Sequence, residues 1–412
     1  MRLAILGAFP FPYPQGSQIY AAQQTRALED AGAEVCLLSY GGGSGPARVP
    51  HRAIAESLAP RRHRSGFHWG KPAADIALLV HYLRQHRLQR FDLALAHNAE
   101  AAMIGLAARS LTGVPVLYVA HTLLRHELSA YGPARWDVAL NAAGAAIDSG
   151  LARHADGILA LSPESQQTLS PHARGPIRVL PPGLDPKPGP GDPEQARVCA
   201  RHGLTPGQFT FYSGNLDRYQ DLELLSGASE LIGDTHHPVV IGTHDARDSG
   251  IRLGSGRARV QVVGVADFAE MRALTWAAHT LVLTRRRAGG FPVKLLNYME
   301  AGRPIVAFEG IAVGLEHERS AWLLPARAGA AEFARAFVKL RRDPARAMRL
   351  GAGAKQHLEA HHAWPPLAEE TLEFAREIAE QARSRPRKEP RVPLEHRNRG
   401  VTLSARADKR KG

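Results

Sequence analysis

The sequence collects residues suited to holding an anion between Leu283 and Ala307. Arg285, Arg286 and Arg287 follow an apolar run, and Gly289 and Gly290 come next. A helix is predicted from about Pro292 to a stop at Gly302, with Lys294 in its first turn. The first N–H groups of a helix have no intrahelical acceptor and sit at the positive end of its dipole. Glycine lets backbone approach a ligand closely. A glycine loop feeding a helix start, with full cations beside it, therefore suits a phosphate or pyrophosphate. Three consecutive arginines after a strand cannot all face one ligand, and Arg286 or Arg287 is expected to enter the site rather than Arg285. The plain alternative for Lys294 is a solvated helix lysine.

A second set of candidates lies in the first half of the chain. His97 and His121 each follow an apolar run read as a strand, over 91–96 and 114–120. The carboxyl ends of parallel strands open into the ligand crevice of α/β sheets, so both histidines are candidates for that crevice. The alternative for each is a loop histidine bonded to nearby backbone. Gly16 closes a loop containing Pro10, Pro12 and Pro14 after the first strand, where backbone must pass close to a ligand or simply turn. Glu127 lies six residues beyond His121 and is read either as a residue of the same loop or as a surface charge. No acidic cluster or Asp-x-Asp pair stands near these positions, and Cys36 and Cys199 are isolated, so neither a metal site nor a disulfide framework is expected.

The elements that must position these residues alternate strand and helix. Residues 2–7 form a continuous apolar run, as in a strand buried on both faces of a parallel sheet. A helix over about 18–31 and a strand over 34–39 complete a β-loop-α-β unit. Residues 41–72, rich in Gly, Pro, Arg and His, are read as an irregular, mobile insertion. The rhythm then resumes and ends with a strand over 177–180. Residues 186–193 contain four prolines and cannot hold regular structure. A second set of strands and helices follows, closing on an amphipathic helix over about 366–383. The reading is α/β, two doubly wound Rossmann-like domains facing across a cleft: residues 1–185, a linker 186–193, residues 194–362, a crossing helix 363–383 and a basic tail 384–412.

The net charge of +13 is concentrated at one end. Residues 381–412 hold eleven Lys or Arg against three acids, which is eight of those charges. That tail lacks apolar periodicity and is read as disordered. It could contact anionic lipid electrostatically or remain solvated. Specific nucleic-acid binding is not expected. No apolar run approaches the ~20 residues that span a bilayer, and a cytoplasmic location with membrane association through 384–412 is expected.

These pieces together resemble the family 4 glycosyltransferases of the GT-B fold, over roughly residues 1–380. The resemblance rests on the Gly16 loop, His97, His121 after Val114–Tyr118, the run Ala155–Ser162, Pro182–Asp185, Gly214–Asp217 and Gly289–Pro304. It implies a nucleotide diphosphate sugar bound mainly by the C-terminal domain and a glycan or lipid-linked acceptor bound mainly by the N-terminal one. It also implies retention of anomeric configuration, no catalytic metal and no cofactor beyond the co-substrate. By this resemblance His121 is the catalytic candidate; Gly16, Asn215, Arg218, Arg286, Arg287, Gly290, Lys294 and Asn297 bind the donor; His97 and Glu127 lie on the acceptor side. The chain departs from the family pattern where two glutamates usually stand, at Gly289 and Asn297, and where a basic pair usually stands, at Asn215 and Tyr219. A GT-B-fold protein that binds nucleotide sugar or acts as a scaffold without turnover is the competing expectation, and a nucleotide-sugar epimerase a third.

Overall fold

A computed structural model describes residues 1–13, 16–43, 48–59, 71–131, 134–233, 236–244, 260–286 and 289–384. The first half runs β1 (Arg2–Phe11), α1 (Gly16–Asp30), β2 (Glu34–Gly42), β3 (His51–Ala53), α2 (Lys71–Gln89), β4 (Leu93–His97), α3 (Asn98–Thr112), β5 (Val116–Ala120), α4 (Leu124–Tyr131), α5 (Asp137–His154), β6 (Gly157–Ala160), α6 (Pro163–Leu169) and β7 (Ile177–Val179). The second runs α7 (Asp192–Arg201), β8 (Thr210–Ser213), α8 (Glu223–Ile232), β9 (Val239–Thr243), β10 (Gln261–Gly264), α9 (Phe268–Ala277), β11 (Thr280–Leu283), α10 (Lys294–Ala301), β12 (Ile305–Phe308) and β13 (Trp322–Leu324). Three helices close the described chain: α11 (Ala330–Arg342), α12 (Pro344–His361) and α13 (Trp364–Ser384).

The strands form two sheets, ordered β3-β2-β1-β4-β5-β6-β7 and β10-β9-β8-β11-β12-β13. Pairing is parallel in both, for example β1 with β2 and β4, and β8 with β9 and β11. Apolar runs rather than alternation follow from burial of both faces. In β1, Leu3 and Ile5 enter one core while Ala4 and Leu6 enter another on the opposite face. Each sheet reverses its strand order once, between β1 and β4 and between β8 and β11. Those reversal points are where doubly wound sheets open a ligand crevice beyond the strand ends.

The insertion expected to be irregular is partly regular. Its described part adds β3 to the edge of the first sheet and a short 3₁₀ turn at Glu56–Leu58. The His51 Nε2 to Ser39 Oγ contact of 2.9 Å ties that strand down. The linker 186–193 has no strand or helix before α7, yet it is pinned. Glu300 accepts from Lys187 N at 3.0 Å, Arg272 donates to the carbonyls of Lys187 and Pro188, and Gly189 lies under the Trp276 ring.

Helix α13 packs against the N-terminal half. Arg178 pairs with Glu377 at 2.8 Å and lies over the Phe374 ring, and Arg383 reaches Asp92. Trp364 stacks on Tyr20 with ring centroids 5.5 Å apart. Phe374 and Ile378 are buried, each worth roughly 1.5–3 kcal/mol of apolar burial. The exposed ion pairs add little beside that. The tail beyond Ser384 and Arg287 lie outside the described residues.

Candidate active site

The loops after β8 and β11 meet at the reversal point of the second sheet. Helix α10 starts there, and no side chain caps its first turn. Lys294 folds back onto the end of β8: its Nζ donates to Tyr212 Oη at 2.8 Å and lies 4.1 Å from that ring's centroid. A Cβ on Gly214 would fall 2.5 Å from the same Nζ, and Gly214 holds a φ of +138° that glycine tolerates. The Tyr212 hydroxyl in turn donates to Asn215 O at 2.9 Å. Burial, then the Arg285 charge, brings the Lys294 ammonium down to about 7, against the pull of Asp217. Arg285 donates from Nη2 to Gly290 O at 2.5 Å, and burial lowers its pKa as well. Two cations forced together, with no carboxylate among the described residues bonded to either, form a site for an anion.

Of the two arginines expected to enter the site, Arg286 does not, and Arg287 lies outside the described residues. Arg285, which the sequence did not favour, reaches into the pocket, and Arg286 is a strut outside it. Arg286 donates to the carbonyls of Ala326 and Ala328 and lies over the Phe308 ring at 4.7 Å. Its backbone N–H is held by Asp221 at 3.1 Å, which fixes the register of the loop after β11. Asn215 also differs from the expected donor contact. Its amide donates to Asp217 and Tyr219 and accepts from Gln220, so it organises its own loop. Arg218 reaches Asp137 at the start of α5 at 3.6 Å and bridges the cleft. Asn297 lies one turn along α10 from Lys294, and its side chain makes no hydrogen bond among the described residues.

The facing wall comes from the ends of β4 and β5. His97 and His121 are both buried, and His97 Nδ1 lies 2.9 Å from His121 Nε2. Tyr20 stands edge-on to the His121 ring at 5.1 Å. Burial holds both imidazoles neutral, bringing His121 down to about 3 and His97 well below its ordinary value. His97 Nε2 is buried without a partner among the described residues. Were His121 to donate, His97 would carry an orphaned N–H there; the reverse leaves only a bare lone pair. Orphaned buried N–H groups are the rarer case. The pair is therefore assigned with His97 Nδ1–H donating, so that His121 carries its proton on Nδ1. A two-bond ¹H–¹⁵N spectrum checks this: a proton on His121 Nε2 would exclude it. His97→Leu is expected to reduce turnover about tenfold, the value of one hydrogen bond, with nucleotide affinity unchanged.

The two walls touch. A Cβ on Gly16 would fall 3.3 Å from Val293 Cγ2 at the start of α10, and one on Gly289 would fall 3.2 Å from His126 Cβ. At Gly290 it would fall 1.8 Å from the His121 carbonyl oxygen. Glu164, at the start of α6, lies close enough to Arg285 for each to shift the other's titration. Arg285, Tyr212 and Glu164 are the members of this site that sequence reading did not select. Among the described residues, no group of three His, Cys, Asp or Glu could hold a metal ion. Glu127 is on α4, one residue past His126.

Comparison with known proteins bears on this geometry directly. The family model described as Glycosyltransferase Family 4 matches residues 14–188, and that described as Glycosyl transferases group 1 matches residues 208–343. The chain belongs to the family 4/group 1 glycosyltransferases. No curated protein sequence matches it. Among solved structures, this glycosyltransferase is similar to a sucrose-phosphate synthase from Thermosynechococcus elongatus, with a TM-score of 0.74 and 17% identity over 92% of this chain and 99% of that one. It is also similar to Anabaena HepE in complex with UDP-glucose, with a TM-score of 0.69 and 14% identity over 92% of this chain and 100% of that one. WaaG, a glycosyltransferase of lipopolysaccharide biosynthesis, gives 0.64 and 14% over 90% and 99%. The architecture is therefore GT-B. No helix among the described residues is long and apolar enough to cross a membrane.

Proposed function

We propose that this glycosyltransferase moves a sugar from a nucleotide diphosphate sugar to a hydroxyl of a glycan or lipid-linked acceptor, with retention and without a catalytic metal or further cofactor. The observation that carries the reading is the pair of half-buried cations, Lys294 and Arg285, at the open start of α10 and the reversal point of the second sheet. Departure of a nucleotide diphosphate develops negative charge at its oxygens. Preorganised cations and a helix N-terminus stabilise that charge more in the transition state than in the ground state. They supply the neutralisation a metal would otherwise give. The complex of HepE with UDP-glucose supports a nucleotide sugar as the donor. Retention rests on the family likeness.

His121 faces this site from the other wall. Accepting at Nε2 from His97, it offers Nδ1–H as a hydrogen-bond donor to the sugar, and a neutral imidazole at pH 7 keeps that role constant. Gly289 offers no side chain where the family pattern has a carboxylate, which favours the competing reading of a protein that binds donor without turnover.

One experiment separates the two. The purified chain is screened by thermal shift against UDP-, GDP- and ADP-sugars, and slow hydrolysis of each stabilising donor is followed. Binding raises the melting temperature in proportion to ligand excess over Kd. Stabilisation with release of free sugar is the expected result; stabilisation without release favours the binding protein, and the absence of both stabilisation and release removes the reading. Peripheral membrane contact through 384–412 is part of the proposal, and association with anionic vesicles that survives deletion of those residues would remove it.

A further inference from the structure

The ring of His121 has more freedom than its hydrogen bond removes. The second torsion of a histidine has a broad, two-fold profile, so neighbours must set the plane of the ring. The bond with His97 meets the ring at Nε2, and a tilt about the Cβ–Cγ bond would swing Nδ1 without breaking it. Tyr20, on α1, supplies a restraint on that tilt. Its ring stands at 75° to His121 with centroids 5.1 Å apart, and at 50° to His97 with centroids 5.6 Å apart. Such aromatic contacts favour an angle as well as a distance. The phenol is buried, and Gln24 Nε2, one turn along α1, donates to its hydroxyl at 3.1 Å.

The phenol is held in turn by the far end of the chain. Trp364, the first residue of α13, stacks on it at an interplanar angle of 24°. The indole is buried, and the backbone of the chain leading into the linker lies against it. A Cβ on Gly183 would fall 2.6 Å from its Cδ2 and 2.8 Å from its Cε2. Those are rigid ring atoms, so only glycine lets the backbone run along them. The turn before Trp364 is pinned to the same stretch. Leu184 N donates to His362 O at 2.8 Å, and His362 Nδ1 donates to Pro182 O at 2.7 Å. The His362 ring also packs on Phe291, just before α10, with centroids 5.5 Å apart. Residues 362–364 therefore touch the 182–184 stretch, the loop entering α10 and α1 at once.

A core at positions 20 and 364 needs only apolar volume, which leucine supplies. Here each ring meets the next at a defined angle, and the series ends on the histidine assigned to the donor sugar. We propose that Tyr20 and Trp364 are positioning residues of the transferase, fixing the plane of the His121 ring through a relay that starts at Gly183. The relay makes the seating of α13 on the N-terminal half a condition of turnover as well as of stability. Its purpose rests on the transferase reading; its ring contacts do not.

The test uses the full chain, with whichever of UDP-, GDP- and ADP-glucose it hydrolyses fastest, and NMR of the His121 ring protons. Trp364→Leu and Gly183→Ala should each lower kcat about tenfold, the upper range for one aromatic pair, with donor KM unchanged. Both should shift the His121 resonances although Tyr20 is intact. Gly183→Ala adds a methyl group and removes no buried side chain, so it decides the matter even if Trp364→Leu fails to fold. Trp364→Phe and Tyr20→Phe keep a ring that can stack, and should hold kcat within about twofold of the parent. Ile378→Ala removes a buried side chain farther along α13, and should lower the melting temperature without moving kcat or the His121 resonances. Unmoved His121 resonances in Gly183→Ala, no rescue by Trp364→Phe, or an equal kcat loss in Ile378→Ala overturns the relay. If the parent hydrolyses none of the three donors, the transferase reading fails, and the resonances of Gly183→Ala and Ile378→Ala still decide the relay.

Discussion

Lys294→Met is expected to lower kcat/KM for the nucleotide sugar by about 100- to 1000-fold, the range for removing one preorganised charge stabiliser from a transition state. In the proposed site both the leaving diphosphate and the bound donor lose a half-buried cation. The same substitution should not weaken the fold. An unfolded lysine titrates near 10.4, whereas Lys294 in the folded protein titrates at about 7 because of burial and Arg285. The unfolded chain therefore holds more protons between those two values, and stability rises with pH across that window. The penalty of the buried ammonium is fully present below about pH 7 and fades toward pH 10. The Met variant should gain most in melting temperature at or below pH 7 and converge with the parent at high pH. Donor binding adds a second signature with the opposite sense. A diphosphate requires the ammonium, so binding above pH 7 takes up a proton, and nucleotide Kd should rise toward tenfold per pH unit in the parent. Titration calorimetry at pH 6.5, 7.5 and 8.5 reads this slope. A parent Kd that is flat across that range would remove Lys294 from the diphosphate site, and a Met variant that keeps the slope would assign it to another group.

The parts of this site that could be read from sequence are those fixed by local pattern. The apolar runs of β1, β4 and β5 placed His97 and His121 at strand ends, and the Gly289–Lys294 stretch stood out as an anion site from composition alone. The contacts that select one member of a set are long-range and were not legible. Three successive arginines carry no register of their own. The register comes from Asp221, 65 positions away, which holds the Arg286 backbone N–H, and from the Ala326 and Ala328 carbonyls, which capture its guanidinium. That leaves Arg285 to turn inward. Tyr212, 82 positions from Lys294, is likewise a partner no spacing could reveal. Asn215 is a different case. Asp217, Tyr219 and Gln220 lie within five positions of it, and short polar side chains in such a loop bond their neighbours before they bond a ligand. The cleft's closeness was also hidden, since Gly289 and Gly290 meet the His121–His126 segment across two domains. An absent glutamate at position 289 read from sequence as a lost contact; in the structure, a Cβ there already presses on His126.

Gly290→Ala is expected to reduce kcat by at least about 100-fold while leaving nucleotide affinity largely intact. The φ of +120° at Gly290 is one that an L side chain rarely adopts, and holding alanine there costs roughly 1–3 kcal/mol. Strain alone would lower stability and affect every function alike. The second effect is specific to catalysis. A methyl group at this position would fall 1.8 Å from the His121 carbonyl oxygen and 3.2 Å from Thr122 Cα, both backbone atoms on the opposite wall. No rotamer change relieves that contact, so either the loop after β11 or the segment after β5 must withdraw by an ångström or more. His121 then moves away from the Lys294–Arg285 pocket, and a misplacement of about 1 Å is enough for a 100-fold loss. Nucleotide binding, proposed at the ends of β8 and β11 and the start of α10, should survive the withdrawal. Gly289→Ala is the internal control. Its Cβ would meet side-chain atoms, the nearest being His126 Cβ at 3.2 Å and Thr122 Cγ2 at 3.5 Å, and a shift of a few tenths of an ångström accommodates it. The pair is read by comparing kcat, donor KM and UDP affinity in both variants. Equal losses in Gly289→Ala and Gly290→Ala would show that the approach of His121 to the donor loop does not specifically govern turnover.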